Sequence, residues 1–408
     1  MKLYNLFFII ILSLNLYAIN INEAVERGLE NSHRLKVSQL NKKVSQAYLN
    51  KEKSSYMPTI NFNLDTSSIE YDERGYFANS YSAFISLGYN LFNGFKDKYS
   101  IEGANESYKS TSFKRDALEA DLKLEIQLAY IKFLEKRETL STKRDAVKLI
   151  EKSLKDTTAY YEQGLVAKNS LLETKVSLSK TKQDLIIAKS ELLVARESLN
   201  RLLGGTLLEN EAIEVINFEI VQIDDVDKLV KEGLSNRSEI KSLKADIKEA
   251  GFTYNSSKSD LYPKVDFFLF HTQNGGDSSS DETEVGINLS YNLYEGGANE
   301  AQRAVYMYKM QIANENLKEL ELDIILQIKK AEVAYKLSLE NRKVTQDANE
   351  FAKENFAIMQ NRYKSQLEKT TDFLKARLEL SEAKIAHIQS LYYIYSQYAI
   401  LLRVIQKR

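Results

Sequence analysis

The sequence has no cysteine, and only two prolines and fifteen glycines in 408 residues. Without cysteine there is no disulfide framework, no thiolate metal site and no lipid-accepting residue behind a leader. Few helix breakers argue against a loop-rich architecture and for long uninterrupted helices. An excess of charge is lacking too. The 56 Lys and Arg stand against 57 Asp and Glu, interleaved along the chain, so no basic stripe is offered to nucleic acid. His33, His271 and His387 fall on different predicted elements without ligand-like spacing, and no GxSxG, HExxH or phosphate-cradling glycine loop occurs. The chain is expected to be no enzyme and to carry no cofactor or metal.

Long apolar runs are confined to the start. In MKLYNLFFIIILSLNLYA, Lys2 precedes an apolar run from Leu6 to Leu12 and Ala18 closes the segment, the grammar of a secretory signal over residues 1–18. The run falls short of the roughly 20 residues a spanning helix needs. No other stretch is long enough to span as a helix.

What is present is duplication. Residues 22–62 align without gaps to 227–267, bringing Gly28 onto Gly233, Asn31 onto Asn236 and Pro58 onto Pro263 at an offset of 205. Further on, YNLFNGF at 89–95 returns as YNLYEGG at 291–297, at an offset of 202. Two structural repeats follow, 19–215 and 216–408. Each is predicted to run through a helix (22–56; 227–261) stopped by its proline, a β-hairpin (58–92; 263–294), a long helix, a tip and a last helix.

The long helices carry a seven-residue apolar spacing. It runs through Ile126, Phe133, Leu140, Val147, Leu154 and Tyr161, then Leu171, Leu178, Leu185, Leu192 and Leu199. The second repeat has Leu337, Val344, Phe351 and Ile358, then Thr371, Leu378, Ile385 and Tyr392. Sustained over many turns, such rows predict coiled-coil packing on neighbouring helices. At 1.5 Å per residue the helix starting near 96 would be about 100 Å long.

The predicted strands decide the environment. Tyr81, Ala83, Ile85, Leu87, Tyr89 and Leu91 alternate with Ser80, Ser82, Phe84, Ser86, Gly88 and Asn90, and 284–294 repeats the pattern. One apolar face and one small polar face over about eleven residues suit a tilted strand with lipid on one side and water on the other. A soluble sheet with one wet face would show the same alternation. The count separates the two: four strands cannot close a barrel, and hydrocarbon does not tolerate open edges, so several chains must contribute to one barrel. The hairpin loops, 70–80 and 274–284, read as solvated. Asp277, Asp281, Glu282 and Glu284 in the second lack the alternating spacing of a calcium loop.

These features together resemble the TolC-like outer-membrane efflux proteins over essentially the whole mature chain. The elements that carry the likeness are the duplicated Pro-strand-loop-strand units ending YNLFNGF and YNLYEGG, and the turn YYEQGLVAKNSLLETKVSL at 160–178. The resemblance implies an α+β membrane protein, a homotrimer whose twelve strands form one β-barrel in the outer membrane, continued by an α-helical tunnel in the periplasm. It implies an exit duct for efflux or type I secretion, served by a periplasmic adaptor and an inner-membrane pump of the RND or ABC type. Gly164, Leu165 and Val166, with the equivalent Gln366 and Leu367, become the adaptor-docking tips. Asn90, Gly94, Asn292 and Gly296, with Pro58 and Pro263, become the strand-to-helix junctions. Asp372 and Tyr363 fall at the pore constriction, where three Asp372 carboxylates would form a ring favouring cations; a solvated helix charge is the alternative. Lys375, Gln366, Ser170 and Glu368 depart from the family pattern at the gate, so different contacts are expected to hold the closed state.

The competing reading is an exported coiled-coil structural or adhesive protein whose hairpins are small capping sheets. It predicts a rod soluble without detergent and no conductance.

Overall fold

The computed structural model describes residues 18–70, 77–208, 211–217, 219–223, 225–276 and 279–407. The expected leader, the first hairpin loop at 71–76 and Asp277 lie outside the described residues. Among the described residues eight α-helices and four strands follow one another as α1 Ile21–Asn31, α2 His33–Lys53, β1 Thr59–Glu70, β2 Phe77–Asn93, α3 Lys96–Glu162, α4 Lys168–Leu202, α5 Val226–Asn236, α6 Ser238–Ser256, β3 Lys264–Gly276, β4 Ser280–Ser290, α7 Ala298–Lys364 and α8 Thr370–Ile405. Single-turn 3₁₀ segments, Ser54–Tyr56 and Ser257–Leu261, close α2 and α6. The residues before the prolines, Met57 and Tyr262, are extended, as proline demands of its predecessor.

The helices expected over 22–56 and 227–261 are each broken in two. Ser32 (ψ 114°) and Arg237 (ψ 122°) are single extended residues between α1 and α2 and between α5 and α6. Serine competes for backbone hydrogen bonds locally, and Arg237 is held by two bonds to the Glu239 carboxylate, at 3.0 and 3.1 Å. Both breaks fall close to where the chain passes between two compact units.

One unit holds the described residues up to Arg34, together with Glu119–Gly233 and the chain from Leu326 onward. Its core is built on α3, where Ile126, Tyr130, Leu134 and Ile150 are fully buried. Gly28 on α1 lies so close to α3 that a Cβ there would stand 2.5 Å from Ile126. Ile19 pairs in parallel with Ile213, and the Tyr130 hydroxyl lies 2.9 and 2.8 Å from the carbonyls of Ile19 and Glu214. Burial pushes that phenol up to about 12.

The other unit holds Leu35–Leu118 and Leu234–Ile325. Here α2, α3 and α6 meet through small polar side chains, Ser110 with Ser242 at 2.9 Å and Ser45 with Thr111 at 2.9 Å. The sheet is antiparallel and meandering, in the order β1-β2-β3-β4. One face carries Ile60, Phe62, Leu64, Ile85, Leu87, Leu269, Val285, Ile287 and Leu289, and the other Asn61, Asn63, Asp65, Ser82, Ser86, Thr272 and Asn288.

Two expectations change. The second hairpin loop is shorter than 274–284, because the ladder continues to Asn274 opposite Ser280. Asp281, Glu282 and Glu284 therefore sit on β4 and alternate between its faces, which rules out their converging on one ion. At the other end β4 stops at Ser290 instead of running to 294. Ser290 already faces Lys264, the first residue of β3, so Tyr291–Tyr294 have no strand of this chain to pair with.

Candidate functional site

The two strand-to-helix junctions turn through glycine. Gly94 and Phe95 have φ of 69° and 64°, and Gly296 and Gly297 have 64° and 83°. A Cβ at Gly94 would collide with the backbone of Ser259, so glycine is required there for space as well as for dihedral freedom. Phe95 bears a bulky side chain in the left-handed region, and its ring packs edge-on against Phe92 at 5.2 Å and Tyr262 at 5.6 Å. Those contacts oppose a backbone cost of about 1–2 kcal/mol. Asn90 ties its junction to the first turn of α3. Its amide donates to the Asp97 carboxylate at 2.5 Å, and Asn93 receives the Asp97 N–H at 3.3 Å. In the second junction Asn292 donates to Glu295. Pro58 and Pro263 stand immediately before β1 and β3, and Asp260, just ahead of Pro263, is paired with Arg303 at 2.5 Å.

At the far ends of α3 and α7 the two tips share one backbone device. The Leu165 N–H reaches the Tyr160 carbonyl and the Gly164 N–H reaches that of Tyr161, at 2.8 and 2.9 Å. In the second tip Leu367 and Gln366 reach Arg362 and Tyr363, at 2.8 and 3.0 Å. Both are helix ends closed by a left-handed residue, Gly164 at φ 73° in one and Gln366 at φ 60° in the other. Leu165 and Leu367 project into solvent, 48 % and 69 % exposed, with Val166 half-buried beside the first.

The second tip has an aromatic floor that the first lacks. Tyr363 is withdrawn from solvent: its ring lies parallel to Phe373 at 4.6 Å, Phe356 stacks on the far side of Phe373 at 5.9 Å, and its hydroxyl bonds that of Thr157 at 2.8 Å. In the protomer Tyr363 clamps α7 and α8 to α3. Asp372, in the first turn of α8, is exposed and has no ion-pair partner among the described residues. Glu368 pairs with Arg362 at 2.9 Å. The Ser170 carbonyl accepts the Thr174 hydroxyl at 2.9 Å.

Sequence reasoning missed Arg377. It is buried on α8, donating to Ser177 at 2.9 Å and to the Ala146 carbonyl at 3.4 Å, with no carboxylate partner among the described residues. Burial lowers its affinity for the proton. Only its position among helix-face residues could have marked it, and that gives no signal in one sequence. Among the described residues no cluster of His, Asp and Glu is placed to hold a metal, and no helix is long and apolar enough to cross a membrane.

No curated protein sequence matches the chain. Solved structures do. The Campylobacter jejuni CmeC outer membrane channel is 16% identical with a TM-score of 0.85, over 94% of this chain and 85% of that one. The outer membrane protein VceC from Vibrio cholerae is 16% identical with a TM-score of 0.81, over 94% and 95%. The open state of the Neisseria gonorrhoeae MtrE outer membrane channel is 16% identical with a TM-score of 0.80, over 94% and 88%. These likenesses establish the fold, a four-stranded sheet carried on long paired helices. The model of the family described as outer membrane efflux protein matches residues 24–205 and 229–405, nearly the whole described chain. The chain therefore belongs to the outer membrane efflux protein family, the outer-membrane exit ducts of efflux systems.

Proposed function

We propose that three copies form one passive duct, each giving β1–β4 to a twelve-stranded barrel, with the helices of both repeats, 19–215 and 216–408, continuing it as a tunnel. The observation that carries this reading is the open sheet. Both edge strands expose large apolar side chains, Ile60, Phe62 and Leu64 on β1 and Val285, Ile287 and Leu289 on β4, each between 59% and 68% exposed. Unpaired strand edges cannot stay in hydrocarbon.

The internal duplication supplies the register of the missing junction. Moving β2 forward by 202 and β3 back by 205 turns the β2–β3 pairing into a pairing of β4 with β1 of the next copy. Gly88 opposite Phe268 becomes Ser290 opposite Asn63, and Tyr89 opposite Phe267 becomes Tyr291 opposite Phe62. The unpaired stretch after β4 thereby gains a partner. The helices support the same count: α7 exposes Leu337, Val344, Phe351 and Ile358 at 51% to 69%, and α4 exposes Val176, Ile186 and Leu193 at 64% to 69%. Rows of that kind fit neighbouring copies.

In this reading the glycine junctions turn strand into tunnel helix, and the exposed Leu165 and Leu367 tips receive a periplasmic adaptor. An inner-membrane pump of RND or ABC type supplies the force. Asp372 from three copies rings the periplasmic mouth and favours cations.

Because the chain has no cysteine, one pair tests the arrangement cleanly. With Asn63→Cys and Ser290→Cys in one chain, mild oxidation of intact cells should give covalent dimers and trimers. Either single variant alone should give neither. Monomers under oxidation, or a copy number other than three in native mass spectrometry of the detergent-extracted protein, would refute the assembly.

A further inference from the structure

The water-facing side of the sheet is not uniformly polar. Phe84, Phe268 and Phe270 all lie on it, with ring centroids 5.6 Å apart for Phe84 and Phe270 and 6.1 Å apart for Phe268 and Phe270. Phe268 faces Gly88 on one neighbouring strand and Gly286 on the other. A Cβ at Gly286 would stand 2.6 Å from the Phe268 ring, so glycine leaves that ring room to lie flat on the sheet. All three rings remain partly exposed in the protomer.

Acidic groups outnumber basic ones around the rings. Glu284 is the direct cross-strand neighbour of Phe270, Glu282 lies two residues further on, and Asp266 precedes Phe268 by two on the same face. Directly opposed side chains start about 4.5–5.5 Å apart at Cβ, which puts a carboxylate within reach of anything resting on the ring. Asp65 adds a fourth carboxylate to this face, and Lys264 at the strand start is the one base on it among the described residues. Aromatic faces attract cations through the ring quadrupole, and neighbouring carboxylates add to that attraction while repelling anions.

We propose that Phe84, Phe268 and Phe270, with Glu284 and Asp266, form a resting site in the barrel lumen for amphiphilic organic cations, compounds that join an aromatic body to an amine or quaternary ammonium. The proposal rests on the barrel reading, which turns this face inward and repeats the patch three times around the lumen. The patch then biases cargo by chemistry within the membrane layer, separately from the Asp372 ring.

The test is block of single-channel current through the full-length assembly in planar bilayers. Benzyltriethylammonium is the probe, benzenesulfonate the aromatic anion control, and tetraethylammonium the control without a ring. Benzyltriethylammonium should dwell longest. Replacing Phe268 and Phe270 together by Ser should shorten its dwell about tenfold and leave tetraethylammonium unchanged. Should the double variant fail to assemble, Glu284→Gln keeps the lumen shape and should shorten the dwell several-fold. A conducting pore whose block ignores these substitutions, or that holds benzenesulfonate equally long, overturns the patch. Absence of any conductance in the unaltered protein counts instead against the barrel on which the patch depends.

Discussion

Helices α3 and α7 are both 67 residues long and begin 202 positions apart, yet they meet different surroundings. The row Ile126, Phe133, Leu140 and Val147 on α3 is between 1% and 8% exposed, whereas Leu337, Val344, Phe351 and Ile358 on α7 are between 51% and 69% exposed. The seven-residue spacing recurs in both, in a looser form on α7. It reports that a helix will pack, and leaves open whether the mate is the same chain or another. On α3 the row is core as far as Val147. On α7 the equivalents of Ile126 and Phe133, Ile328 and Tyr335, are likewise fully buried, and the row from Leu337 to Ile358 lies on another face, exposed in the protomer.

The sharpest way to break that comparison is to place a charge on each row. Ile126→Asp on α3 buries an unpaired carboxylate at a fully buried position and should cost more than about 4 kcal/mol, read as loss of cooperative thermal unfolding. Phe351→Asp on α7 should leave the protomer helical by circular dichroism and remove the heat-modifiable trimer on gels. If Phe351→Asp unfolds the protomer, the α7 row belongs to the chain's own core.

The next largest effect lies at the tips. Phe373→Ala removes the floor beneath Tyr363 and should cost about 3–4 kcal/mol, with faster amide exchange confined to the second tip. Tyr363→Phe deletes only the bond to Thr157 and should cost about 1 kcal/mol. Equal exchange in both tips of Phe373→Ala would show that the aromatic floor has no local role. A smaller change sharpens the same contrast: Gln366→Gly should gain about 1 kcal/mol by relieving the left-handed backbone, and Gly164→Gln should lose a similar amount, both read from thermal midpoints. The smallest effect in energy is electrical. Asp372→Ala should reduce cation preference in reversal-potential measurements on the reconstituted channel. An unchanged preference would leave Asp372 a solvated helix charge.

Much of this architecture was legible in the residues. Pro58 and Pro263 mark the same boundary twice, the alternation of 80–92 defines the faces of β2, and the repeated YNLFNGF and YNLYEGG mark both glycine junctions. What stayed hidden was whatever depends on a neighbour. Ser32 and Arg237 break their helices although no proline or glycine announces it. The end of β4 at Ser290 is set by where β3 begins, and the burial of Tyr363 and Arg377 by which helix lies opposite. Phe95 takes a left-handed backbone that only its two ring contacts make tolerable. In the candidate site the turn residues were readable because glycine and the tip pattern are local signals. The aromatic patch on the polar face depends on the cross-strand register, which alone brings Phe84 and Phe270 together.

The bare stretch after Ser290 bears on how such a duct is made. A solitary chain entering the bilayer would carry naked amides and carbonyls into oil at both sheet margins, each costing several kcal/mol. In the proposed barrel that cost is relieved only where the copies pair their edges, which couples oligomerisation to membrane entry.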